Sequence, residues 1–88
     1  MNWACELTED AERDLRNLPR NIQRRVTRVL DQMTADPFQG DVKALKGPEW
    51  RGMYRRRIGS YRILFTVGQG TQTAFVVRIL IRSEKTYS

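Results

Sequence analysis

Four arginines fall within one short stretch, Tyr54-Arg55-Arg56-Arg57-Ile58-Gly59-Ser60-Tyr61-Arg62-Ile63-Leu64-Phe65. β-Branched and aromatic residues flank the Gly59-Ser60 pair, so the stretch reads as a strand, a tight turn and a second strand. Successive side chains of a strand point to opposite faces. Arg55 and Arg57 therefore share one face, and Tyr54, Arg56 and Ile58 share the other. Past the turn, Tyr61, Ile63, Phe65 and Val67 form the richer apolar set, and Arg62, Leu64 and Thr66 form the second. Placing the richer set against a core leaves Arg55, Arg57 and Arg62 together on an open face. A guanidinium is planar, always charged and able to give two parallel hydrogen bonds, so this array suits phosphate. The plainer reading is a solvated edge hairpin whose arginines block edge pairing.

Composition narrows the chemistry available to such an array. The chain has no histidine and a single cysteine, Cys5. That excludes an internal disulfide, the usual zinc and copper ligand sets, and every Ser-His or Cys-His pair. Catalysis would have to use Arg, Lys, Tyr, Glu or Asp, while Cys5 reads as a small hydrophobe in a first strand. Lys and Arg outnumber Asp and Glu by 16 to 10, a net charge of +6 that points to a polyanionic partner. The 88 residues allow one domain, residues 1–88. No apolar run approaches the ~20 residues that span a bilayer, and the first residues lack the basic and apolar regions of a signal peptide.

The elements that must position the arginines can be read in order. Trp3, Cys5 and Leu7 alternate as in a half-buried strand. Thr8 reads as a helix N-cap, with Glu9, Asp10 and Glu12 in the first turn where negative charge complements the helix dipole. Ala11, Leu15 and Leu18 define an apolar stripe, and Pro19 ends this helix and introduces the next. Ile22, Val26, Val29, Leu30 and Met33 predict a second helix over 20–34, with Arg20, Arg24, Arg25 and Arg28 on its solvated faces. Asp36-Pro37 stops it. A loop with a buried anchor at Leu45 and turn residues at Gly47-Pro48 leads to strands over 50–58 and 61–67. Gly68-Gln69-Gly70 turns the chain into a long apolar strand over 73–81, with Phe75, Val77, Ile79 and Ile81 on one face and Ala74, Val76 and Leu80 on the other. The expected class is α+β, ordered β-α-α-β-β-β, with a helical hairpin on one face of a small, mainly antiparallel sheet. The first strand can pair in parallel across the helical crossover, and no remaining element covers the opposite sheet face.

This pattern resembles the RelE/ParE superfamily of bacterial toxin–antitoxin toxins over nearly the whole chain. The likeness rests on the helical hairpin with Leu15, Leu18 and Pro19, the Leu45-Lys46-Gly47 turn, the hairpin from Tyr54 to Ile63, and Arg82 and Tyr87 near the end. The resemblance implies a RelE-like toxin fold and, for RelE-like members, a ribosome-dependent endoribonuclease that cuts messenger RNA in the A site of the 70S ribosome. It places the family's catalytic positions on Arg55, Arg57, Arg62, Arg82 and Tyr87. Lys43, Lys46, Arg51 and Arg56 are expected to bind RNA. No cofactor or metal is implied. The implied partners are a cognate antitoxin, messenger RNA and the ribosome, with a monomeric free toxin, a hetero-oligomer with antitoxin, and a cytoplasmic location away from membranes.

Arginine is a poor base, since its pKa lies above about 12, so the arginines are assigned to holding phosphate and stabilising developing charge. The expected step is attack of the RNA 2′-OH on the adjacent phosphodiester. Tyr87 orients or deprotonates the 2′-OH, Arg62 and Arg82 hold the phosphate, and Arg55 or Arg57 steadies the leaving 5′ oxygen. Glu84 is a reserve base. Two other functions share these residues: a ParE-like block of DNA gyrase without nuclease activity, and a non-catalytic RNA-binding domain. Trp50 and Arg51 either line the site or anchor the loop before the hairpin.

Overall fold

The computed structural model describes residues 3–68 and 70–81. Its elements are β1 (Ala4–Leu7), α1 (Glu9–Arg16), α2 (Arg20–Met33), β2 (Val42–Ala44), β3 (Met53–Ile58), β4 (Tyr61–Gly68) and β5 (Thr73–Ile81), with a short 3-10 turn at Pro48–Trp50. They form one five-stranded sheet in the order β1-β5-β4-β3-β2. β1 pairs in parallel with β5 and every other neighbour is antiparallel. The α+β arrangement is as expected, with the three-residue β2 added as an edge strand that the sequence pattern does not announce.

The helices form where caps and apolar spacing agree. Thr8 Oγ1 accepts the Ala11 amide at 3.2 Å, which ties down the first turn of α1. The Gln23 side-chain amide donates to the carbonyls of Arg16 and Leu18 at 3.1 and 3.0 Å, closing the turn between the helices with otherwise unpaired C-terminal carbonyls. The apolar stripe of α2, Val26, Val29, Leu30 and Met33, is buried against Ile58, Ile63, Phe65, Ala74, Val76 and Ile79 of the sheet. Burying each such side chain is worth roughly 1.5–3 kcal/mol, so this face fixes which way the strands are turned.

One expectation about β5 is corrected. Ala74, Val76 and Ile79 all belong to the helix-side core, which strict alternation forbids. The cause is a β-bulge: Phe65 faces Val76 while Leu64 faces Arg78, leaving Val77 as an extra residue. α1 satisfies the backbone groups at the bulge. Thr8 Oγ1 donates to the Val77 carbonyl at 3.1 Å, and the Asp14 carboxylate accepts the Ile79 amide at 2.9 Å. The same carboxylate accepts Arg78 Nε at 2.7 Å and Nη2 at 3.3 Å. Burial pushes the Asp14 carboxyl up, but the hydrogen bonds from Arg78 and Ile79 and the neighbouring positive charges outweigh it and hold the group below its ordinary value. Beyond the bulge Leu80, not Ile79, stands opposite Arg62 on the far sheet face. The bulge thus keeps the most apolar strand in register with both the core and the arginine face.

Candidate nucleic-acid interface

The two-residue Gly59-Ser60 turn joins Ile58 to Tyr61 as the sequence predicts, with Gly59 at φ +56°. This register puts Arg57 directly opposite Arg62, and the β2 register puts Lys43 opposite Arg55. Like charges directly opposite destabilise a sheet, and this face carries two such pairs. The face is not open, however. Residues 45–50 overhang it, and a cleft of about 340 Å³ results, lined by Lys43, Leu45, Lys46, Glu49, Trp50, Arg55 and Arg62 among others. Arg55 and Arg62 are each only 7% exposed. Of the expected solvent-facing array of Arg55, Arg57 and Arg62, Arg55 and Arg62 are instead withdrawn into the cleft, where β2 and the 3-10 turn run beside the hairpin. Lys43 and Lys46 remain exposed at its rim.

The loop over 38–41 that follows Asp36-Pro37 contacts all three consecutive arginines. Asp41 accepts Arg55 Nη1 with both its carbonyl oxygen and Oδ1, each at 3.2 Å. Its carbonyl also accepts the Arg57 amide at 3.0 Å, and Oδ2 lies 4.0 Å from Arg57 Nε. Next to it, Gln39 O accepts Arg56 Nη1 at 2.5 Å. Gly40, at φ +92°, passes so close beneath the Arg56 guanidinium that a Cβ there would overlap it. The loop is anchored by Phe38, whose ring packs edge-on against Tyr54 at 5.1 Å and lies 6.2 Å from Phe65. The hydrogen bond from Arg55, supported by the charges of Arg55, Arg57 and Lys43, holds the Asp41 carboxyl below its ordinary value.

The other sequence-predicted residues divide plainly. Arg57 shares the face with Arg62 but does not line the cleft. Arg56 is turned to the helix side, where the 39–40 loop engages it, and Arg51 is exposed in the turn before β3; neither lines the cleft. Of the four residues expected to bind RNA, Lys43 and Lys46 line the cleft, and Arg51 and Arg56 stand apart from it. Arg82, Glu84 and Tyr87 lie outside the described residues. Trp50 does line the cleft, which decides its placement, and Glu49 adds a carboxylate. Cys5 is half-buried in β1 and its thiol is pushed up by burial and by Asp31, so it stays protonated. Among the described residues no cluster of His, Cys, Asp and Glu is suited to hold a metal, and no helix is long and apolar enough to cross a membrane.

Residues 5–86 match the family model described as the ParE toxin of the type II toxin–antitoxin system, parDE. The chain belongs to this ParE toxin family. It is thus a type II toxin of the RelE/ParE superfamily. Solved structures agree on the fold of this ParE-family toxin. It superposes on a chain of the RelBE2 toxin–antitoxin complex of Mycobacterium tuberculosis with TM-score 0.83 and 25% identity, covering 93% of this chain and 100% of that one. Against the archaeal RelE–RelB complex of Pyrococcus horikoshii the values are 0.81 and 23%, over 96% and 99% of the chains. Against the isolated E. coli RelE toxin they are 0.77 and 16%, over 96% and 88%. A search of curated proteins returned no match.

Proposed function

We propose that this toxin is a ribosome-dependent endoribonuclease that cuts messenger RNA in the A site and so arrests translation. The observation that carries the proposal is the cleft with Arg55 and Arg62 buried in its floor and Lys43 and Lys46 at its rim. Guanidinium groups held out of bulk water act on a phosphodiester far more strongly than exposed ones, and they need no reorganisation as charge develops. The cleft volume falls within the roughly 300–1,000 Å³ usual for small-ligand sites, enough to admit part of a nucleotide. Trp50 supplies an aromatic wall on which a base can stack.

In this reading the RNA 2′-OH attacks the adjacent phosphorus and the 5′ oxygen leaves, giving a 2′,3′-cyclic phosphate or its 3′-phosphate product. Arg62, with Arg82, holds the phosphate; Arg55 or Arg57 steadies the leaving oxygen; Tyr87 orients or deprotonates the 2′-OH. The ribosome aligns the substrate, which suits a sparse protein site. A RelB-type antitoxin is the proposed partner, since similar structures are toxin–antitoxin complexes. The proposed location is the cytoplasm, where translating ribosomes are found.

A second reading, inhibition of DNA gyrase, is favoured by the match to the ParE family model. One paired experiment separates the two. Purified toxin is added to translating ribosomes and, in parallel, to gyrase supercoiling reactions, with Tyr87→Phe and Arg82→Ala beside wild type. A-site cleavage weakened by both substitutions, with gyrase unaffected, supports the nuclease. Intact messenger RNA with arrested supercoiling refutes it.

A further inference from the structure

The residue whose position the proposed reaction does not explain is Asp41. It is an acid at the edge of a phosphate-binding face, where a negative charge weakens attraction for RNA. Yet its carbonyl and Oδ1 both accept the Arg55 guanidinium, while Arg57 meets the same carbonyl with its backbone amide and lies 4.0 Å from Oδ2, beyond hydrogen-bond reach. The Arg55 side chain is only 8% exposed while that of Asp41 is 50% exposed. A solvent-facing carboxylate therefore reaches in to fix a buried guanidinium. The loop delivering it is itself fixed, by the Phe38 ring contacts, by Asp36 Oδ1 accepting the Phe38 amide at 2.9 Å, and by Arg56 on Gln39. A long arginine side chain has several rotatable bonds, and only one arrangement points its fork at a given phosphate oxygen.

We infer that Asp41 is a positioning residue of the cleavage reaction, acting through Arg55 to hold its guanidinium group in the geometry the transition state needs. The inference rests on the nuclease reading. Its signature follows from the opposing effects of the carboxylate: it organises Arg55 for turnover, and it weakens ground-state RNA attraction. Removing it should lower kcat while KM stays level or falls. A merely structural residue would lower the folded fraction without that split, and a carboxylate that only screens charge would raise both affinity and rate when removed.

The test is steady-state cleavage of messenger RNA on programmed ribosomes by full-length wild type, Asp41→Ala, Asp41→Asn and Asp41→Leu. Thermal denaturation is run on each, and Asp10→Asn at an exposed ion pair serves as the matched charge control. The expected result for Asp41→Ala and Asp41→Leu is a kcat reduced about tenfold, short of the ~100-fold that a misplacement of about 1 Å can bring, with no rise in KM. Asp41→Asn keeps an oxygen acceptor for Arg55 and should recover part of the loss, and Asp10→Asn should match wild type. Unchanged kcat, Asn no better than Leu, or unfolding of every Asp41 variant would overturn the inference alone. A wild type that leaves messenger RNA intact and blocks gyrase would overturn the nuclease reading and this inference with it.

Discussion

Replacing Asp14 should unlock the β5 bulge, and the cost can be worked from its three hydrogen bonds. The Ile79 amide donates to Asp14 at 2.9 Å from a residue only 3% exposed, so its loss strands a buried donor. A hydrogen bond to a charged group contributes about 1.5–3 kcal/mol. The Arg78 pair has good geometry, at 2.7 and 3.3 Å, but Arg78 is about half exposed, so it adds only about 0.5–1 kcal/mol. Asp14→Ala should therefore cost about 2–4 kcal/mol. At roughly 4–8 °C per kcal/mol for a domain of this size, the melting temperature should fall by at least ~8 °C. Because the folded Asp14 carboxyl is held below its unfolded value near 3.9, its contribution is full well above that pH and is lost as pH falls through the folded value. Urea unfolding of wild type and Asp14→Ala at pH 7 and near pH 3 reads both effects. The gap between the two proteins should be wide at neutral pH and should narrow in acid. A gap below about 0.5 kcal/mol at pH 7, or one that does not change with pH, would refute the reasoning.

Three further outcomes are expected. Gly40→Ala should destabilise by about 1–3 kcal/mol in chemical denaturation, because φ is +92° and the new Cβ meets the Arg56 guanidinium. Thr8→Val removes the cap on Ala11 and the hydrogen bond to Val77, and should cost about 1–2 kcal/mol by the same assay. If Lys43, Lys46, Arg55 and Arg62 each neutralise a phosphate, single-stranded RNA affinity should fall with salt at a log–log slope of roughly −3, and Lys46→Ala should flatten it by about 0.7.

Local chemistry made much of this protein legible in sequence. The Thr8 cap, the α2 stripe and the Gly59-Ser60 reversal are each written within a few residues, and the structure realises all three. The shared face of Arg57 and Arg62 followed from strand alternation around that turn. What escaped was non-local. Residues 73–81 are apolar on both faces, so their pattern cannot reveal a bulge whose backbone is satisfied by Asp14, 65 residues away from Ile79. β2 is too short to show a period. Asp41 looks like an ordinary loop residue until the pairing of Lys43 with Arg55 brings it beside the arginines, 14 residues on. The same pairing, together with the 3-10 turn, converts an expected open face into a cleft.

The most direct test of the nuclease account is the fate of messenger RNA on translating ribosomes given wild-type toxin, Arg55→Ala or Arg62→Ala, with both RNA ends at each break identified. The account predicts breaks within A-site codons carrying a 2′,3′-cyclic or 3′-phosphate on one side and a 5′-hydroxyl on the other. Arg62→Ala should reduce them by about 100-fold or more, the scale of losing one preorganised transition-state donor. Uncut messenger RNA, or breaks bearing 5′-phosphates that persist in both variants, would contradict it.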